Sequence, residues 1–90
     1  MTNPSGPDIF DRSRRLISAD RNNQYGEPED NLGDIAGMWS IFLGIPVSAH
    51  DVSICMTLSK IVRTKAPGYV PDNYEDGIGY LALADRLAEK

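Results

Sequence analysis

From Leu32 to Leu43 the apolar side chains return at three- and four-residue intervals: Leu32, Ile35, Ala36, Trp39, Phe42 and Leu43. Gly44 follows as a stop. That spacing describes one face of a helix; a half-buried strand would alternate instead. The same period recurs on both sides of it. Asp8 can cap a first helix carrying Ile9, Leu16 and Ile17, predicted to run to about Asn22 and to end at Gln24, Tyr25 and Gly26. Ser48, three residues before Asp51, starts a third helix as a capping box, with Val47 and Val52 placed to staple its entry. Cys55, Met56, Leu58, Ile61 and Val62 give this helix a face broad enough for two neighbours, which predicts a central position, and Ala66, Pro67 and Gly68 end it. Asp72 and Glu75 read as another capping box, ahead of Ile78, Leu81, Ala82 and Leu87.

The strand-like pieces at residues 45–47 and 69–70 are too short for a sheet, so the expected fold is all-α, a compact bundle of about four helices. Residues 1–6, small and polar with Pro4 and Gly6, are expected to be flexible, leaving residues 7–90 as a single helical domain. A chain of 90 residues buries only roughly 60–65% of its unfolded surface. Completion of so modest a core by homo-oligomerisation is therefore expected. Gly77 and Gly79 each cost about 0.8–1 kcal/mol within a helix, which points to a close contact with a helix, a symmetry mate or a flat ligand.

Charge and composition exclude several functions. Nine Lys and Arg against thirteen Asp and Glu give a net charge of −4, the wrong sign for general nucleic-acid binding. No apolar run is long enough to span a membrane, and the N-terminus lacks the apolar core of a secretory signal. A single cysteine, Cys55, allows no internal disulfide and fits a reducing cytoplasm; on an apolar helix face it reads as a small buried hydrophobe. There is one histidine, His50, and no phosphate-binding glycine loop, so a P-loop, a structural zinc site and a histidine-based triad all lack their materials.

What remains are basic, aromatic and acidic groups near helix ends. Tyr25 and Gly26 follow Arg21 at a helix-to-loop junction, where a ring and free backbone N–H groups can hold a flat or anionic group; a glycine C-cap with a packed tyrosine accounts for them equally well. Lys60 and Arg63, three apart, can grip one phosphate, or can simply offset the negative end of the helix dipole. Glu27 with Asp30, and Asp72 with Glu75, could hold Mg²⁺, although carboxylates at helix starts are also favoured by the dipole alone. Asp76 lies past the cap, one turn before Tyr80, and is placed to reach Lys60 or Arg63 across a helix interface, as a ligand wall or as a register-setting ion pair.

The order of these groups, Tyr25-Gly26, Trp39-Ser40, Asp51-Val52, Lys60, Arg63, Asp76 and Gly79-Tyr80, resembles a family of short helical proteins of unknown function encoded by tailed phages and prophages. The resemblance covers roughly residues 12–87 and implies a phage product acting in the cytoplasm of the infected bacterial host. Through Tyr25, Gly26, Lys60, Arg63, Asp76 and Tyr80 the chain is more loosely similar to phage nucleotide-modification-associated domains. A more distant likeness is to the MazG-type all-α nucleoside triphosphate pyrophosphatases, oligomers that hold Mg²⁺ between paired carboxylates. The nearest equivalents here, Glu27 with Asp30 and Asp72 with Glu75, fall at helix starts and lack the run of glutamates.

Three functions follow. The first is binding of a nucleotide-like anion without turnover, sequestering a host signalling nucleotide. Arg21, Lys60 and Arg63 would meet its phosphates, Tyr25 or Tyr80 its base, and Asp76 a ribose, a base or a cation. The second is Mg²⁺-dependent pyrophosphate release through Glu27, Asp30, Asp72 and Glu75. The third is a module docking on a host protein through residues 69–74 and the glycine-marked helix.

Overall fold

The computed structural model describes residues 8–17 and 27–88, and within them the chain is all-α, with four helices and no strand. They are α1 (Ile9–Leu16), α2 (Pro28–Leu43), α3 (Ala49–Arg63) and α4 (Pro71–Ala88). The first helix closes at Leu16 with Ile17 as its C-cap, short of the predicted run to about Asn22, while residues 1–6 and the predicted end at Gln24, Tyr25 and Gly26 lie outside the described residues.

Local chemistry sets the helix ends. The Asp8 carboxylate accepts the Asp11 backbone N–H at 3.0 Å, satisfying one donor left open in the first turn of α1. Pro28, whose fixed φ suits a first helical turn, opens α2. Gly44 closes it at φ 72°, a left-handed conformation that an L side chain disfavours. At α3 the capping box forms as expected: Ser48 Oγ accepts from Asp51 N, and the Asp51 carboxylate accepts from Ser48 N, each at 3.0 Å. The hydrogen bond from the Ser48 backbone holds the Asp51 carboxyl below its ordinary pKa.

The core is small. Leu32 and Ala36 of α2, Val52 of α3 and Leu83 of α4 form its buried centre, with Ile17, Ile35, Trp39, Val47, Met56, Tyr80 and Leu87 packed around it. The most extensive helix contact is α3 on α4; α1 packs on α4, and α2 chiefly on α3. Thus α3 does face two neighbours, α2 and α4, and α4 packs on all three other helices.

Hydroxyl groups tie the helices together where large side chains are absent. Ser13 Oγ of α1 donates to the Glu75 carbonyl at 2.9 Å, and Ser53 Oγ of α3 donates to the Tyr80 carbonyl at 2.6 Å. Both serines are buried, so these bonds prevent an unmet polar group as well as fixing register. The two glycines of α4 lie in the same seams: a methyl at Gly77 would meet Lys60 Cβ at 3.6 Å, and one at Gly79 the Ser13 carbonyl at 3.9 Å. They sit at helix contacts, as their cost suggested, yet both distances are ordinary van der Waals contact.

The structure corrects several expectations. Phe42 and Leu43 are exposed, Phe42 to 88%: at 100° per residue Phe42 lies about 80° from the line through Leu32, Ala36 and Trp39 that α3 and α4 cover. Cys55, expected to be buried, is exposed, as are Leu58, Ile61 and Val62. The buried side of α3 instead carries Val52, Ser53 and Thr57, small residues that let α4 approach. Asp72 and Glu75 form no capping box, because α4 already begins at Pro71 and places Asp72 in its first turn. Glu75 turns aside to Arg12 of α1 in a hydrogen-bonded ion pair, which raises the Arg12 pKa.

Candidate functional site

Lys60 and Asp76, assigned from sequence to one interface, meet across the α3–α4 seam with Nζ and Oδ2 3.1 Å apart. Gly77 follows Asp76 in this seam, and a methyl there would meet Lys60 Cβ at 3.6 Å, an ordinary contact. Both charged side chains are mostly withdrawn from solvent, 18% and 28% exposed. Tyr80, one turn beyond Asp76, is half-buried against the core. Arg63, one turn beyond Lys60, is exposed and makes no ion pair among the described residues. The structure therefore joins Lys60 to Asp76 and leaves Arg63 beside them as an available cation. Arg21, Tyr25 and Gly26 lie outside the described residues.

On the other side of Gly77 an apolar cleft of about 330 Å³ opens between α1, α3 and α4. Ile9, Ile61, Tyr74, Ile78 and Leu81 supply most of its wall, and Thr57, Thr64 and Asn73 add polar atoms. Two of the hydroxyls are already engaged: Thr57 Oγ1 donates to the Ser53 carbonyl at 2.9 Å and Thr64 Oγ1 to the Ile61 carbonyl at 2.6 Å. Thr57 and Thr64 follow each other by seven residues with Ile61 between them, a helical spacing that marks one face, but nothing in the sequence says which helices leave a gap there. Arg63 lies around α3 on the far side of Lys60 from Thr57 and Ile61, so the cleft and the cation pair are neighbouring features on two sides of one seam.

The four carboxylates of the pyrophosphatase reading are dispersed. Glu75 is held by Arg12, Asp72 is in the first turn of α4, and Glu27 and Asp30 begin α2. Their neighbour Glu29 pairs with Arg86 at 3.0 Å, tying the start of α2 to the end of α4. Among the described residues no three His, Cys, Asp or Glu side chains gather as metal ligands would. No helix among those residues is long and apolar enough to cross a membrane.

Residues 8–88 match a family described as a domain of unknown function, DUF6378. The chain belongs to this family. The Gene 55 protein of Mycobacterium phage D29 is 39% identical over 82 residues, covering 91% of this chain and 54% of that protein. The Gene 55 protein of Mycobacterium phage L5 is 29% identical over 80 residues, 88% of this chain and 51% of that protein. The chain thus spans about half the length of these curated relatives, and its kinship is with phage proteins of unknown function. No solved structure matches it.

Proposed function

We propose that this DUF6378 protein is a phage-encoded binder of a nucleotide-like anion, acting without turnover in the cytoplasm of the infected host and serving to sequester a signalling nucleotide. The observation that carries the reading is the Lys60–Asp76 contact with Arg63 one turn away. A phosphate arriving at this end of α3 meets a guanidinium with no competing carboxylate and an ammonium held by only one. Arg63 can present two N–H groups to phosphate oxygens, and Lys60 adds a charge-assisted bond. Tyr80 beside Asp76 offers a ring to a base, and Arg21 and Tyr25 complete the ligand set in this reading.

Binding is favoured over hydrolysis because Glu75, one of the carboxylates that would hold Mg²⁺, is already committed to Arg12. The reading includes self-association, the expected remedy for so small a core. It is tested by thermal unfolding in the presence of mono-, di- and triphosphate nucleosides and cyclic dinucleotides. At ligand concentrations 100-fold above Kd the protein gains about 2.7 kcal/mol, roughly 10–20 °C in Tm for a chain this size. Lys60→Ala and Arg63→Ala should each remove most of the shift. No shift with any nucleotide at millimolar concentration refutes the reading.

A further inference from the structure

The helix α2 is apolar on two sides. Leu32, Ala36 and Trp39 face the core, whereas Met38, Ile41 and Phe42 fall within about 100° of one another on an uncovered flank, with Ile45 just beyond the helix end. Their exposures are 68%, 78%, 88% and 59%. From Ile35 to Leu43 the one polar side chain is Ser40, and a helical stretch apolar all round is ordinarily enclosed. We propose that this outer face is the interface of an isologous dimer in which α2 packs antiparallel on α2 of a second copy, with the two-fold axis passing beside Ile41 and Phe42. The proposal deepens the self-association part of the reading above and is independent of the ligand.

Three features select a second copy as the occupant. At roughly 200 Å² for each fully exposed large side chain, the four residues offer about 600 Å² per copy. Flanking atoms bring this close to the roughly 800 Å² per partner of a standard stable interface. No side chain between Asp34 and His50 is ionisable, and Asp34, seven residues before Ile41 on this face, lies roughly 20 Å from its copy across an axis beside Ile41 and Phe42, so stacking the face on itself brings no like charges together. Finally, the residues of this chain outside the described ones contain only Met1 and Tyr25 as large apolar side chains, too few to cover the patch.

The test is the mass in solution of the full chain, measured by light scattering across a concentration series. The expected species has twice the 9.9 kDa chain mass. Ile41→Glu should convert it to a monomer while helical circular dichroism is retained, since Ile41 contributes little to the core. Val62→Glu, a like change on an exposed apolar residue of α3, should leave the dimer intact. In a Cys55→Ser background, Ile41→Cys should form an intermolecular disulfide under mild oxidation, because the two-fold axis sets the position beside its own copy. A monomeric wild type would overturn both the dimer and the self-association reading. An oligomer that survives Ile41→Glu, or that Val62→Glu dissociates instead, would overturn the α2 interface alone.

Discussion

A double-mutant cycle on Lys60 and Asp76 examines the seam that the functional reading depends on. At 3.1 Å two unit charges attract by about 1.3 kcal/mol in bulk water and about 5 kcal/mol at an effective dielectric of 20. Much of the larger figure is offset by the cost of withdrawing both groups from water, and with 18% and 28% exposure neither is fully removed. The coupling should therefore be about 1 kcal/mol, the upper part of the range for accessible pairs. Lys60→Met should cost more, roughly 1.5–2 kcal/mol, because it leaves the Asp76 carboxylate largely enclosed and without its partner. Asp76→Asn should cost less, since the long Lys60 stem can carry its ammonium outward to water. Urea unfolding at fixed protein concentration measures each corner of the cycle. With a slope of about 1 kcal/mol/M for so short a chain, Lys60→Met should lower the midpoint by about 1.5–2 M. Additivity of the two changes within about 0.3 kcal/mol would refute the claim that the pair fixes the α3–α4 register.

Other consequences follow from single residues. Asp51, whose pKa is depressed in the folded chain, contributes stability that is present above its unfolded pKa near 4 and is lost as the pH falls through the lower folded value; Asp51→Asn should flatten the acid side of the stability profile. Gly79→Ala should be neutral or stabilising by up to about 1 kcal/mol in chemical unfolding, because the new methyl has ordinary contact distance to Ser13 and the helix gains propensity. The exposed Cys55 should react with iodoacetamide in the native protein about as fast as in urea; protection by orders of magnitude would mean that the thiol is covered.

Much of the scaffold was legible because it depends on local chemistry. Ser48 and Asp51 satisfy each other's backbone groups within one turn, and Gly44 supplies a left-handed stop, so spacing alone located both ends. The Lys60–Asp76 contact was also foreseeable, since Asp76 lies past the helix start, where capping would account for a carboxylate, and the preceding helix carries the cations Lys60 and Arg63. Burial was harder to read. Period places Phe42 near the apolar stripe of α2, but which 100° of that stripe is covered depends on where α3 and α4 lie, and that information is tertiary. The same limit applies to Cys55: the sequence has apolar residues around most of α3, while the helix contact selects Ser53 and Thr57, whose small side chains permit close approach and whose hydroxyls find carbonyls. Glu75 shows the reverse error. Its spacing from Asp72 suits a cap, yet Pro71 starts the helix earlier and Arg12, distant in sequence, claims the carboxylate.

The most direct measurement is a two-dimensional amide NMR titration of the intact chain with the nucleotide giving the largest thermal shift. Signals from residues 59–63 of α3 and 76–80 of α4 should move together and saturate at one Kd, and Arg63→Ala should suppress the movement. Saturating shifts confined to the outer face of α2, or none near Lys60, would contradict a ligand held at the α3–α4 seam.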